Sequence, residues 1–400
     1  MARQSIHVVG ASLAGIRAAE GLRRRDFDGR IVLIGDEPHR PYDRPPLSKQ
    51  VLAGDWDVDR IALTKPEKFN DLDLDLRLGV RATGFDLGSR TLSTTDGDVV
   101  VDGLLIATGA RCRTLPGTEA MAGVHVLRSL DDTMALRADL DAGPQRVVVV
   151  GAGFIGAEVA ATCRGRGLAV TLIEPLPTPL GRVLGDTIGQ VVADVHVEQG
   201  VDLRTGVGVD RLEADDGTVA RVVLSDGQVV EADVVVVGIG VIPNTEWLEG
   251  SGLTIDNGVV CDATMLAAPG VTAAGDVARW PNGRFDEVMR VEHWDNAIEQ
   301  GVHAAERLLV DDGDAQPFEP VPWFWSDQYD RKIQLAGRIR PDDEVHLATG
   351  SYEERRFAQL YGREGRLVGV LGFNRPRHVM QYKTMIQNGT SFADAVAAEI

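Results

Sequence analysis

The sequence predicts an α/β chain in which one parallel-sheet unit is inserted into another and a smaller α+β domain follows. Three observations predict this. Residues 5–37 (SIHVVGASLAGIRAAEGLRRRDFDGRIVLIGDE) run from an apolar stretch through a glycine turn and a small-residue amphipathic stretch to a second apolar run ending on acids. Residues 146–175 (RVVVVGAGFIGAEVAATCRGRGLAVTLIEP) repeat that pattern. Each reads as a strand–helix–strand unit. After about residue 317, alternating stretches such as KIQLAG (332–337) and RLVGVLGF (366–373) read as antiparallel strands.

The elements follow in order. The first unit turns at Gly10. The loop DEPHRPYDRPPLSK (36–49) holds four prolines among charges, too irregular for a helix or strand. An apolar strand at 101–107 runs into ATGA. The second unit turns at Gly151, and a strand at 232–237 runs into GIGVIPN. A short run at 270–278, GVTAAGDVA, breaks at Gly275 and Asp276. The turn-rich DDGDAQPFEP marks a boundary. HVMQYKTMIQNG near the end reads as a helix. The expected domains are 1–109 with 236–317, the inserted 110–235, and 318–400.

Composition bounds the function. With 44% hydrophobic and 25% charged residues, the 400-residue chain reads as an ordinary soluble globular protein. A net charge of −19 argues against nucleic acid or an anionic membrane as main partner. Cys112, Cys163 and Cys261 form no CxxC or CxxxxC pair, so no zinc site, redox dithiol or disulfide framework is expected. No signal-peptide pattern and no run of 18 apolar residues is present, and a cytoplasmic location is the expectation.

The glycine turns carry the chemistry. Gly151, Gly153 and Gly156 have the full GxGxxG spacing, for a tight turn, a close approach of backbone to a pyrophosphate, and helix packing on the strand. The turn follows RVVVV and opens a helix, and Glu174 closes the second strand, where a carboxylate accepts from ribose hydroxyls and repels a 2′-phosphate. NADH is therefore expected over NADPH, a preference that Arg182, some way downstream, would weaken if it reached the 2′ position. In the first turn, Gly10 and Gly15 keep their places but Ser12 replaces the middle glycine, with Asp36 and Glu37 supplying the acid. Two such Rossmann-like sites imply two cofactors. FAD beside a nicotinamide suits hydride transfer, and spacing alone does not say which site holds which.

RPYDRPPLSK, LLIATGA, GAGFIGAEVA, VVVVGIGVIPN, AAGDVA, VEHWDNAIEQG and PWFWSDQYDRKIQ occur in this order along the chain. Together they resemble the FAD-dependent NADH:ferredoxin reductases that serve cytochrome P450s and Rieske-type oxygenases, the putidaredoxin reductase and biphenyl dioxygenase reductase group. The resemblance implies a glutathione-reductase-like fold, with an NAD domain inserted in an FAD domain and a C-terminal domain at the flavin and ferredoxin interface. It implies that Gly10, Ser12, Leu13, Ala14 and Gly15 hold the FAD pyrophosphate and that Asp36 meets the adenosine ribose. Ala82 is then a backbone contact on the adenine side, Arg128 reaches the FAD phosphates, and Arg44 joins the same cofactor-binding set. Asp276, after Gly275, binds the ribityl chain and is also expected to cap a following helix. The backbone of Trp294, next to His293, then lies against the flavin, and both residues belong to the cofactor-binding set. Ala107, Thr108, Gly109, Phe154, Ile155 and Gly240 complete the cofactor-binding set.

The resemblance gives catalytic roles to Lys49, Glu158 and Trp325. Lys49 stands near the flavin N5, Glu158 pairs with it beside the nicotinamide, and a cation there stabilises negative charge on the reduced ring. Trp325 approaches the flavin edge, and Trp323 shares its side if the segment is extended. The competing reading is a core strand with buried indoles, against which Asp327, Gln328 and Asp330 favour partial exposure. The implied partner is an iron–sulfur ferredoxin, and the implied assembly a monomer or weak homodimer. Rubredoxin reductase and a redox-responsive flavoprotein interaction module are the alternatives. A disulfide reductase of the same fold needs a cysteine in the first domain, and none precedes Cys112.

Overall fold

The computed structural model describes residues 3–398 and 400. The backbone forms two compact units. One contains the chain up to Asp43, Ile61–Arg111 and Ile242–Phe324, and the other contains Arg44–Arg60, Cys112–Val241 and Trp325–Ile400.

The first unit is built on a six-stranded sheet, in the order Leu266–Ala268, Val271–Ala273, Gly103–Ile106, Ser5–Val9, Arg30–Gly35, Leu74–Leu78. All neighbours pair in parallel except the edge strand Leu266–Ala268. The central strands are apolar runs because both faces are covered. Ile6, Val8, Ile31, Val32, Leu33, Leu104, Leu105 and Ile106 are all fully buried, each burial contributing roughly 1.5–3 kcal/mol. The helix Leu13–Arg24 crosses between the first two strands, buries Leu13, Ile16 and Leu22, and ends on Arg23 and Arg24, which suit its negative C-terminal end.

The second unit repeats the pattern. Its five-stranded parallel sheet runs Asp202–Thr205, Ala169–Glu174, Arg146–Val150, Val234–Val237, Val124–His125. Val148, Val150, Ile173, Val235 and Val237 pack with Leu212, Val222 and Leu224 of a three-stranded antiparallel ribbon. A separate antiparallel sheet follows, in the order Trp323–Gln328, Arg331–Gly337, Arg366–Phe373, Arg356–Arg363, Glu344–Ser351. The helix Pro376–Gln387 packs on two of its strands.

The proline-rich loop is less irregular than expected, since Pro45–Ser48 closes a short 3-10 helix and Gln50–Ala53 a helical turn. Fixed φ at consecutive prolines favours such a turn. Residues 44–60 pack with the second unit because the helices there bind their carbonyls. Thr162 Oγ1 donates to Ser48 O at 2.8 Å, Arg166 Nη1 to Leu52 O at 2.8 Å and Arg137 Nη1 to Val51 O at 3.3 Å. Among the described residues no helix is long and apolar enough to cross a membrane.

Candidate functional site

In the second unit the strand Arg146–Val150 ends at Gly151, and the helix Phe154–Gly165 begins after Gly153 as its N-cap. A Cβ added at Gly156 would lie 1.9 Å from Gly151 O, whereas one at Gly153 would meet nothing within 4 Å. The first glycine closes helix onto turn. The second leaves an open approach to the helix N-terminus, which is what a dinucleotide pyrophosphate requires. Phe154 and Ile155 start this helix, with Ile155 exposed.

Four residues into the same helix, Glu158 is 3% exposed. Its Oε2 accepts from Lys49 Nζ at 2.8 Å and Ser48 Oγ at 2.5 Å. Its Oε1 accepts from Ser326 Oγ at 2.8 Å and from the Asp327 amide at 3.3 Å. Burying a carboxylate is tolerated only with such pairing. The docked 3-10 turn carries Lys49 to Glu158, so two of the expected catalytic residues meet. The serines escaped the sequence reading. Ser48 directly precedes Lys49, and a two-residue repeat in WFWSDQ puts Ser326 on the face opposite the tryptophans.

Trp323–Gln328 is indeed extended, and its exposure alternates strictly. Trp323, Trp325 and Asp327 are half-buried, while Phe324, Ser326 and Gln328 are buried. The indoles are neither core residues nor free surface. Lys332 Nζ holds Asp327 at 2.6 Å.

Glu174 is also buried, and its two oxygens accept from the Ala152 and Leu176 amides at 2.9 and 3.0 Å. It braces the glycine turn from the end of its strand. Arg182 is exposed on the short helix Gly181–Leu184. Gly240 accepts from the Arg113 amide at 2.9 Å. Arg44 Nη1 donates to Arg128 O at 2.6 Å, and the Arg128 amide donates to Asp132 Oδ2 at 3.0 Å.

In the first unit, a Cβ at Gly10 (φ +121°) would lie 2.1 Å from Ala107 O, so the turn and the 103–106 strand end fit only around glycine. Ser12, in the middle position, is the N-cap of the helix containing Leu13, Ala14 and Gly15. Thr108 and Asn244 exchange two hydrogen bonds of 2.9 Å, and Gly109 O accepts from the Asn244 amide at 2.9 Å. Gly275 (φ +76°) donates to Gln300 Oε1 at 2.8 Å. Trp294 Nε1 donates to Asp43 Oδ1 at 2.7 Å, and the His293 ring packs 4.8 Å from Phe324. Asn244, Asp43 and Gln300 lie inside motifs that carry the resemblance, but those motifs assign them no role of their own. Ala82 opens the strand Ala82–Asp86.

Two expectations need correction or refinement. Asp276 caps no α-helix, because Gly275–Val277 is a 3-10 turn that leads into the strand Ala278–Asn282. The positive φ at Gly275 turns the chain back toward a sheet. Register also separates the two acids. Val9 pairs with Ile34 and Val150 with Ile173, so the residue matching Glu174 is Gly35, where a Cβ would lie 2.7 Å from Ala11 Cβ. Asp36 lies one residue further, exposed, with Arg81 at 3.9 Å.

Burial pushes the Cys163 and Cys261 thiols up to about 12 and also raises that of Cys112.

Residues 4–301 match the family model described as pyridine nucleotide-disulphide oxidoreductase, and residues 323–400 match that described as reductase C-terminal. The chain is 37% identical over 398 residues to rhodocoxin reductase of Rhodococcus erythropolis, covering 99% of this chain and 92% of that protein. It is 36% identical over 386 residues to the ferredoxin–NAD(+) reductase component of the anthranilate 1,2-dioxygenase system of Burkholderia cepacia, covering 96% and 94%. The solved covalent complex of putidaredoxin reductase with putidaredoxin contains a chain 33% identical, with a TM-score of 0.93 and coverage of 100% of this chain and 97% of that one. The chain belongs to the pyridine nucleotide-disulphide oxidoreductase family and carries that family's reductase C-terminal domain.

Proposed function

We propose that the chain is an NADH-dependent ferredoxin reductase that takes hydride from NADH and passes single electrons to an iron–sulfur ferredoxin, which feeds a P450 or another oxygenase. FAD, when bound, supplies a two-electron acceptor able to release electrons singly. The residues present fit both cofactors. The open space at Gly153 fits a nicotinamide dinucleotide in 110–235, and the glycine turn at Gly10 with Ser12 at the helix N-cap fits FAD in 1–109 with 236–317. Asp276, Arg128, Arg44 and Trp294 would hold FAD, and Glu174 would face the NADH ribose.

The buried Lys49–Glu158 pair carries the reading, at 2.8 Å with side chains 12% and 4% exposed. A cation held by a fixed carboxylate in a dry setting is suited to negative charge developing on a neighbouring group. No proton donor is required of the chain, and the lack of any cysteine before Cys112 argues against dithiol exchange as a rival. Residues 318–400, with Trp325 half-buried, would face the flavin and the ferredoxin. A cytoplasmic location accords with an acidic chain and an intracellular electron donor.

NADH-driven cytochrome c reduction, with and without a small panel of ferredoxins, tests the proposal. Strong stimulation by one ferredoxin is expected. A flavin that NADH reduces without stimulation by any ferredoxin would overturn the partner and point to rubredoxin or to a redox-responsive interaction module.

A further inference from the structure

Glu158 is one end of a buried side-chain series that the ion pair does not explain. Ser326 Oγ is 2.8 Å from Glu158 Oε1, and Gln328 Nε2 is 3.2 Å from Ser326 Oγ. Gln328 Oε1 is 3.1 Å from His196 Nε2, and Tyr329 Oη is 2.9 Å from His196 Nδ1. Ser326, Gln328 and His196 are 0%, 1% and 0% exposed, so water does not compete for the bonds among them.

Donor and acceptor chemistry sets every direction. An ionised carboxylate only accepts, so Ser326 gives its single O–H to Glu158. Its lone pair then accepts from the Gln328 amide N–H. That turns the Gln328 carbonyl toward His196, whose Nε2 must carry the proton. His196 Nδ1 is left to accept from the Tyr329 hydroxyl. Four donations thus run one way, from Tyr329 to Glu158. Burial favours the forms required, pushing His196 down to about 4 and the Tyr329 phenol up. His196 sits on the helix Asp186–Glu198, which Arg355 Nη2 pins through Asp194 at 3.1 Å and Glu198 at 2.8 Å.

We propose that Ser326 and Gln328, oriented by His196, are positioning residues that fix the Glu158 carboxylate in the orientation in which it holds Lys49. The proposal rests on the reading of Lys49–Glu158 as the hydride-transfer site. Without the series, the carboxylate keeps its charge and its lysine but gains rotational freedom. Such misplacement lowers the rate at saturating NADH more than it weakens binding.

The test uses the FAD-loaded full chain. Nitrogen-15 NMR of labelled histidines, with His196 assigned by its absence from H196Q, should show a neutral ring protonated at Nε2 at pH 7. A proton on Nδ1, or on both nitrogens, would overturn the proposal. In stopped-flow reduction by NADH, S326A should lower the limiting rate roughly tenfold with KM nearly unchanged, and S326T should recover most of the loss. Q328M should lower the same rate and serves if S326A does not fold. E158Q is run beside them. A wild-type rate in S326A or in Q328M beside a slow E158Q would overturn the positioning role alone. A wild-type rate in E158Q would overturn the reading of the ion pair, and the positioning role with it.

Discussion

Lys49 and Glu158, 109 positions apart in the chain, meet at 2.8 Å with both side chains largely removed from water. Removing one partner strands the other charge, which typically costs about 3–5 kcal/mol, whereas replacing both with apolar groups costs much less. Lys49→Met should therefore destabilise the protein by about 3 kcal/mol in urea melts. Adding Glu158→Leu should return part of that loss. A double variant no more stable than the lysine variant would show that the pair is not coupled in the fold.

The glycines of the second turn should separate folding from the proposed cofactor binding. Gly153→Ala enters open space, so the melting temperature should hold within a few degrees while the KM for NADH rises at least tenfold. Gly156→Ala meets Gly151 O at 1.9 Å and should reduce stability itself. Equal NADH affinity in Gly153→Ala and wild type would remove Gly153 from the cofactor site.

Glu174 braces two backbone amides, and the proposed function also places it at the NADH ribose. Glu174→Ala with Pro175→Arg should move the preference toward NADPH. It should also lower stability by about 1–3 kcal/mol, because the Ala152 amide loses a buried acceptor. The ratio of kcat/KM for the two cofactors decides it, and unchanged NADH selectivity would sink the ribose assignment.

Trp325 is half-buried on the strand face opposite Ser326. Trp325→Ala should alter the flavin absorbance spectrum or ferredoxin-dependent turnover. Wild-type behaviour in both would make this tryptophan structural.

His7 and His196 are both buried neutral, burial being the main cause that pushes each from an ordinary 6.5 down to about 4. The unfolded chain takes up protons between these values and the folded chain does not. Stability is therefore full above about pH 6.5 and falls as the pH drops toward 4, by up to about 3 kcal/mol per histidine. Urea midpoints measured across this range should fall, and His196→Gln should flatten the curve. A midpoint independent of pH between 4 and 6.5 would contradict the buried neutral state.

The sequence by itself determined the two strand–turn–helix units, because a glycine turn between apolar runs is a local signal read within about thirty residues. The late antiparallel sheet was legible for the same reason, from two-residue alternation. The acids proposed to meet the cofactors were legible only to within a residue. Asp36 follows its glycine, and only strand register shows that Gly35 is the position matching Glu174. Tertiary structure alone decided the environment of Glu158. Ser48, Lys49 and Ser326 arrive from segments 110, 109 and 168 positions away, and no local pattern records which donors will converge on a buried carboxylate. The neutral state of His196 was decided the same way. Its charge is set by the water that packing excludes, which is a property of the folded chain rather than of any stretch of it.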